Sequence, residues 1–209
     1  MIDERIDKLL NSWFQGVQEG TVLNSQSLVA RRVFLKDPQI SLEAAKVLTS
    51  DFHKAWKRKC EAWLDVPRGR LAQIILFDQG SRHIFPDTVK AYENDLRALE
   101  LSLLMIKDRQ DEKLSLLERQ FIYLPMMHSE SLKIQERSLK SYEMIFIEAP
   151  KKDKKNVEYF QFVYDMAKRM FQIIEEFQRF PQRNAALNRR STPQEMEYLK
   201  DPNNAALMT

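Results

Sequence analysis

Apolar side chains recur along this chain at steps of three and four residues, the spacing that gathers them on one face of an α-helix. Ile2, Ile6, Leu9, Leu10, Trp13 and Phe14 form the first stripe. Residues 15–40 lose the period and hold Gly16, Gly20 and Pro38, so they read as irregular chain with room for one short helix. The spacing then predicts a helix from Ser41 through Leu48, Phe52, Trp56 and Trp63 to Leu64, ended by Val66-Pro67 because a residue before proline avoids helical geometry. Pro67 suits the first turn of the next helix, which runs through Leu71, Ile75 and Asp78.

The pattern continues in the same way. Pro86-Asp87-Thr88 opens a helix carrying Val89, Tyr92, Leu96, Leu99, Leu103 and Ile106. Asp111 opens another with Leu114, Leu117 and Phe121, stopped near Pro125. Leu132, Leu139, Tyr142 and Phe146 mark a further one, before a lysine-rich break over 149–156 around Pro150. Val157, Phe160, Tyr164, Ala167, Phe171, Ile174 and Phe177 give the most regular stripe of all. At Ser191-Thr192-Pro193-Gln194-Glu195 a hydroxyl cap, a first-turn proline and an acid at the positive helix end mark a start. From Asp201 the chain reads as a frayed tail. The expectation is an all-α fold of stacked antiparallel helical hairpins, one domain over 1–200 with a flexible tail over 201–209. The short apolar run 74–77 lies inside a helical period, and no 34-residue repeat signature is legible.

Composition narrows the picture. The 209 residues suffice to bury roughly 70% of the unfolded chain's surface in one core. Only four glycines are present, which disfavours a turn-rich β architecture. A single cysteine, Cys60, excludes an internal disulfide or a multi-cysteine zinc site. No metal or cofactor is expected. The acidic start and the lack of a long apolar run predict a cytoplasmic protein without a membrane span. A net charge of +3 is too small to argue for nucleic acid. Basic clusters stand at 54–59 and 151–155, but Trp56 falls on its helix's apolar stripe and is expected to point inward, so a stacking surface for nucleic acid is not expected.

Polar residues on apolar stripes mark the candidate site, because such groups cost free energy unless paired. Asp78 and Arg82 stand four apart on one face, as an internal ion pair or as an anion-binding fork held in shape by its acid. His128, with Glu130 beside it, follows the Pro125 turn, and Gln135 interrupts a stripe; they either satisfy the helix start and a buried backbone group or contact a ligand. Arg183 and Asn184 lie in a late basic group with Arg189 and Arg190, read as a solvated turn or as ligand contacts. His128-Ser-Glu130 matches half of the zinc-deaminase signature, but the paired cysteines are missing. His83 is left open between an exposed residue and a cap.

At these segments the chain resembles a mainly bacterial family, the domain of unknown function nine-two-four. The resemblance spans about 51–199 and rests on Trp63, Leu71-Ala72, Ile75-Leu76, Asp78-Gln79, Ser81-Arg82, Ile84, Phe121, Pro125, His128-Ser129-Glu130, Gln135, Arg179-Phe180-Pro181, Arg183-Asn184 and Ser191-Thr192-Pro193, with Trp13-Phe14 matching the opening region. It implies a helical fold like tetratricopeptide repeats and no established activity. The chain departs from the pattern at Gly80, where an aromatic is typical, at His83 for asparagine, and at Pro86 for arginine. Met170 and Gln182 stand where histidine is common, and Asn188 where glycine is. If those histidines serve catalysis in relatives, that activity is lost here.

The residues then support a binding module in which Asp78, Arg82, His128, Glu130, Gln135, Arg183 and Asn184 line a polar pocket for an anionic small molecule or peptide. The alternative is a hydrolase with His128 as general base, oriented by Glu130. A third possibility is a purely structural polar network. Oligomeric state is not legible.

Overall fold

Amphipathic helices bury their stripes by packing around one another, and here one helical segment is enclosed by the rest. In the computed structural model, which describes residues 3–18, 20–34 and 37–207, that central rod is the segment after Pro67. Ile2 lies outside the described residues. The first helix, α1 (Glu4–Trp13), is capped by the Asp3 carboxylate, which accepts from the Arg5 amide, and turns Ile6, Leu9, Leu10 and Trp13 inward. A short α2 (Leu28–Phe34) lies within the stretch expected to be irregular. Helix α3 (Pro38–Trp56) starts before the expected Ser41, because Asp37 accepts from the amides of Gln39 and Ile40 while Pro38 fills the first position.

Helix α3 also stops earlier than its stripe suggests. Arg58 adopts a left-handed φ of 57°, and Trp63 sits on a separate 3-10 turn, Glu61–Asp65. Trp56, the last residue of α3, emerges past the core and is 54% exposed, which corrects the expectation that it points inward. The central rod follows as α4 (Pro67–Ile75), a π turn (Leu76–Gly80) and α5 (Ser81–Ile84). Every residue from 71 to 83 is buried. Gly69 lets the rod approach the preceding turn: a Cβ there would stand 2.1 Å from the Trp63 carbonyl oxygen.

Helix α6 (Asp95–Lys107) begins later than Pro86 because Asp87 is left-handed (φ 56°) and a 3-10 turn, Val89–Ala91, intervenes. Helix α7 (Leu116–Met127) opens on a Ser115–Glu118 capping box rather than at Asp111. It runs through Pro125, as α8 (Leu132–Lys152) runs through Pro150. Each proline stands within the final turn, where its missing N–H costs little further helix. Helix α9 (Val157–Phe177) folds back on α8 in the most extensive helix–helix interface of the molecule, with Phe146 and Tyr164 stacked at 6.1 Å. Between them Asn156 accepts from the Leu23 amide at 2.7 Å and donates to the Thr21 carbonyl, pinning the irregular N-terminal stretch. A capping box of Thr192 and Glu195 starts α10 (Pro193–Tyr198). The residues after Asp201, expected to fray, form α11 (Pro202–Ala205) and bury Leu207 against the core. The fold is all-α and a single domain, and no helix among the described residues is long and apolar enough to cross a membrane.

Candidate functional site

The central rod carries Asp78 in its π turn and Arg82 one turn later, both enclosed by neighbouring helices. Asp78 Oδ1 lies 2.7 Å from His128 Nδ1, at the C-terminal end of α7. A carboxylate only accepts, so Nδ1 carries the proton and donates. Gln79 Nε2 donates to the other Asp78 oxygen at 2.7 Å. Burial works against the Asp78 charge, but His128 and Arg82 beside it outweigh that and hold its carboxyl well below the ordinary range. Burial pulls the His128 imidazole down, against the pull of Asp78, so the ring is neutral.

Arg82 pairs chiefly with a residue the pattern did not single out. Its Nη1 and Nη2 meet Asp95 Oδ1 and Oδ2 at 2.8 and 3.1 Å, while Asp78 Oδ1 is 3.5 Å away. Nη1 also donates to the Asp78 carbonyl at 2.6 Å. Arg183, on the 3-10 turn after α9, reaches the same Asp95 carboxylate at 3.2 Å and donates to the His128 carbonyl at 2.8 Å. Tyr92 lies under both guanidinium groups, 5.4 and 4.8 Å from ring centre to Cζ. Two buried cations therefore face two carboxylates across a neutral imidazole, and the charges balance inside the fold.

A second cluster flanks the first. Arg189 clamps Glu130 through two nitrogens at 2.7 and 2.9 Å, and Glu130 also accepts from the Phe180 amide at 2.8 Å. Asn184 accepts from Arg189 Nε at 2.9 Å and donates to Ser191 Oγ at 3.1 Å. Arg179 closes the group on Glu195 at 2.6 Å. The expectation that Glu130 orients His128 fails: Glu130 is held by Arg189 and Phe180, and the carboxylate on the imidazole is Asp78. Gln135 donates to the carbonyls of Met127 and Ser129, closing the α7–α8 turn.

The candidate residues thus come together from four distant stretches, Asp78 and Arg82, Asp95, His128 to Gln135, and Arg183 to Glu195. Asp95 escaped the sequence reading because it opens α6, a helix expected to start earlier, where it breaks no stripe, and Tyr92, just after the 3-10 turn, read only as a member of that stripe. Among the described residues no group of three histidine, cysteine or acidic side chains stands close enough to hold a metal ion.

Beside the network, between α3 and α5, lies an open cavity of about 410 Å³. Arg82 and Tyr92 form the wall it shares with the network, His83 and Ser41 lie beside them, Pro38, Leu42, Ala45, Ile84, Pro86 and Ala91 supply apolar surface, and the acidic residues Asp37 and Asp87 complete the lining. Asp78, His128, Glu130, Gln135, Arg183 and Asn184 do not reach it. Arg82 Nε is buried and without a hydrogen-bond acceptor. His83, undecided from sequence, is buried with Nδ1 3.1 Å from Ser41 Oγ and its ring 5.8 Å from Trp13. Burial, with the charges of Arg32 and Arg82, lowers its pKa to about 4.

Comparison with curated proteins finds no match. A solved structure, "Protein of Unknown Function ATU0120" from Agrobacterium tumefaciens, is 24% identical and superposes with a TM-score of 0.72 over 95% of this chain and 98% of that one, which shows a shared fold. A family model, "Bacterial protein of unknown function (DUF924)", matches residues 9–203, the region that contains the polar segments described above. The chain therefore belongs to this bacterial family of unknown function.

Proposed function

We propose that this chain binds a small molecule bearing an anionic group, seated in the α3–α5 cavity with Arg82 at its charged end. The observation that carries the reading is that Arg82 belongs both to the balanced network and to the cavity wall, with its buried Nε still without an acceptor. Asp78, His128, Asp95 and Arg183 then serve as the frame that fixes Arg82, and Glu130, Gln135, Asn184 and Arg189 brace that frame. A fixed guanidinium loses little entropy on meeting an anion, which favours binding. The volume is within the range of small-molecule sites and the walls are mostly apolar, so a compact carboxylate fits better than an extended peptide.

The test is thermal unfolding against a panel of short aliphatic and aromatic monocarboxylates. Ala45 is half-exposed on α3 and lines the cavity. Ala45→Phe fills the space without touching the network. A ligand at 100 times its Kd stabilises by about 2.7 kcal/mol, several degrees of Tm. The wild type should show this rise and Ala45→Phe should lose it while keeping its own Tm. No rise with any carboxylate, or an equal rise in both proteins, overturns the reading.

A second reading, hydrolysis with His128 as general base, draws on the Asp78–His128 contact, which sets the tautomer a base needs. His128→Gln with wild-type turnover across a broad substrate screen would end it.

A further inference from the structure

The cavity wall holds a pair of side chains that the anion-binding reading does not use. Ser41 stands near the N-terminus of α3 and His83 near the end of α5, far apart in sequence. The fold sets Ser41 Oγ and His83 Nδ1 3.1 Å apart, and both residues line the cavity. His83 Nε2 is buried without a hydrogen-bond partner, and in the tautomer that carries its proton there the imidazole accepts the hydroxyl hydrogen through Nδ1. The ring is held by the Trp13 face at 5.8 Å, and Trp13 is itself packed beneath the Arg32 guanidinium. His83 stays neutral at neutral pH, the state a base requires. Arg82 precedes His83 in the chain and brings a fixed positive charge to the same space. Nucleophile, base and cation are the three parts that acyl transfer needs, and here they line one cavity.

We propose that Ser41 and His83 act as nucleophile and base in the hydrolysis of a small carboxylic ester bound in the α3–α5 cavity. Ser41 Oγ forms a bond to the ester carbonyl carbon as His83 Nδ1 takes the hydroxyl proton. The negative charge that develops on the carbonyl oxygen is stabilised by the field of Arg82. The intermediate collapses, its C–O bond to the alcohol breaks, and the alcohol leaves with the proton from His83. Water then attacks acyl-Ser41, giving its proton to His83. The bond between carbon and Oγ breaks, Oγ regains the proton from His83, and the carboxylic acid so formed loses its own proton to water and is released as a carboxylate. This inference rests on the cavity reading above, since the ester enters the same space and its acid product is the anion that Arg82 holds. It does not involve His128.

The experiment uses the full chain with a fluorophosphonate probe and with p-nitrophenyl acetate and butyrate. A single covalent adduct mapping by mass spectrometry to the peptide containing Ser41, absent in Ser41→Ala, is expected. Ester turnover should fall by roughly 100-fold or more in Ser41→Ala and in His83→Asn. Should His83→Asn fail to fold, Ser41→Ala, which removes a single oxygen, decides alone. An adduct elsewhere, or equal turnover in Ser41→Ala, overturns the proposal. If Ser41 is not labelled but carboxylates still stabilise the wild type and not Ala45→Phe, acyl transfer falls and the binding reading stands. If neither labelling nor stabilisation is seen, both fall.

Discussion

Asp95 changes the meaning of the arginines around it. Taken singly, Arg82 and Arg183 are cations on a buried surface and invite an anionic ligand. Asp95 Oδ2 lies within 3.2 Å of both, so most of that charge is already met within the chain. Arg82 is nonetheless part of the cavity lining, and the chemistry available there depends on how its neighbours ionise. His83 is the neighbour whose behaviour is most readily measured. Its folded pKa is about 4, set by burial first and by Arg32 and Arg82 next, against an ordinary 6.5. Between those values the unfolded chain binds a proton that the native ring refuses, so stability falls as pH drops from 6.5 toward 4 and this loss stops below 4. The full window is worth about 3 kcal/mol. Urea unfolding at pH 7 and pH 4.5 should therefore show a smaller acid-side loss in His83→Asn than in the wild type. Equal losses in the two proteins would mean that another group dominates that window.

Among the elements, the central rod sets what every other helix can do. Its π turn falls at Leu76–Gly80 and so contains Asp78, a placement often found where a helix carries function. The rod is buried on all sides, so its entry must be tightly packed as well. Gly69 is where this shows: an added methyl would press on the Trp63 carbonyl, which is backbone and cannot swing away. Gly69→Ala should lower stability by about 2 kcal/mol or more, despite alanine's higher helix propensity, because the backbone must shift. The urea midpoint should move down with the slope unchanged. A stabilised Gly69→Ala would show that the rod has slack at its entrance, and the close approach would lose its importance.

For the molecule as a whole, the polar segments are held by helices that meet only after the entire chain has folded. Arg183 follows α9, yet its partners lie on α6 and at the end of α7. Closure continues to the C-terminal segment, where Leu207 is 4% exposed and joins the core. Leu207→Ala should cost about 2 to 3 kcal/mol, read as a drop in Tm. A change within half a kcal/mol would return this segment to the frayed tail that its composition suggests.

Periodicity alone determined the helical class and the placement of most helices, because burial of a stripe is a local property of spacing. It misplaced ends at Ser41, Pro86, Asp111 and Pro150, where capping side chains, left-handed residues and a final-turn proline decide the boundary by a few hydrogen bonds. Polar interruptions of stripes marked Asp78, Arg82, His128 and Gln135, since a buried polar group needs a partner whatever the fold. Which partner it finds is not a property of spacing. Asp95 between two arginines, Asp78 rather than Glu130 on His128, Trp56 in solvent and Ser41 against His83 were decided by the tertiary structure, because each depends on distances between helices that no interval along the chain encodes.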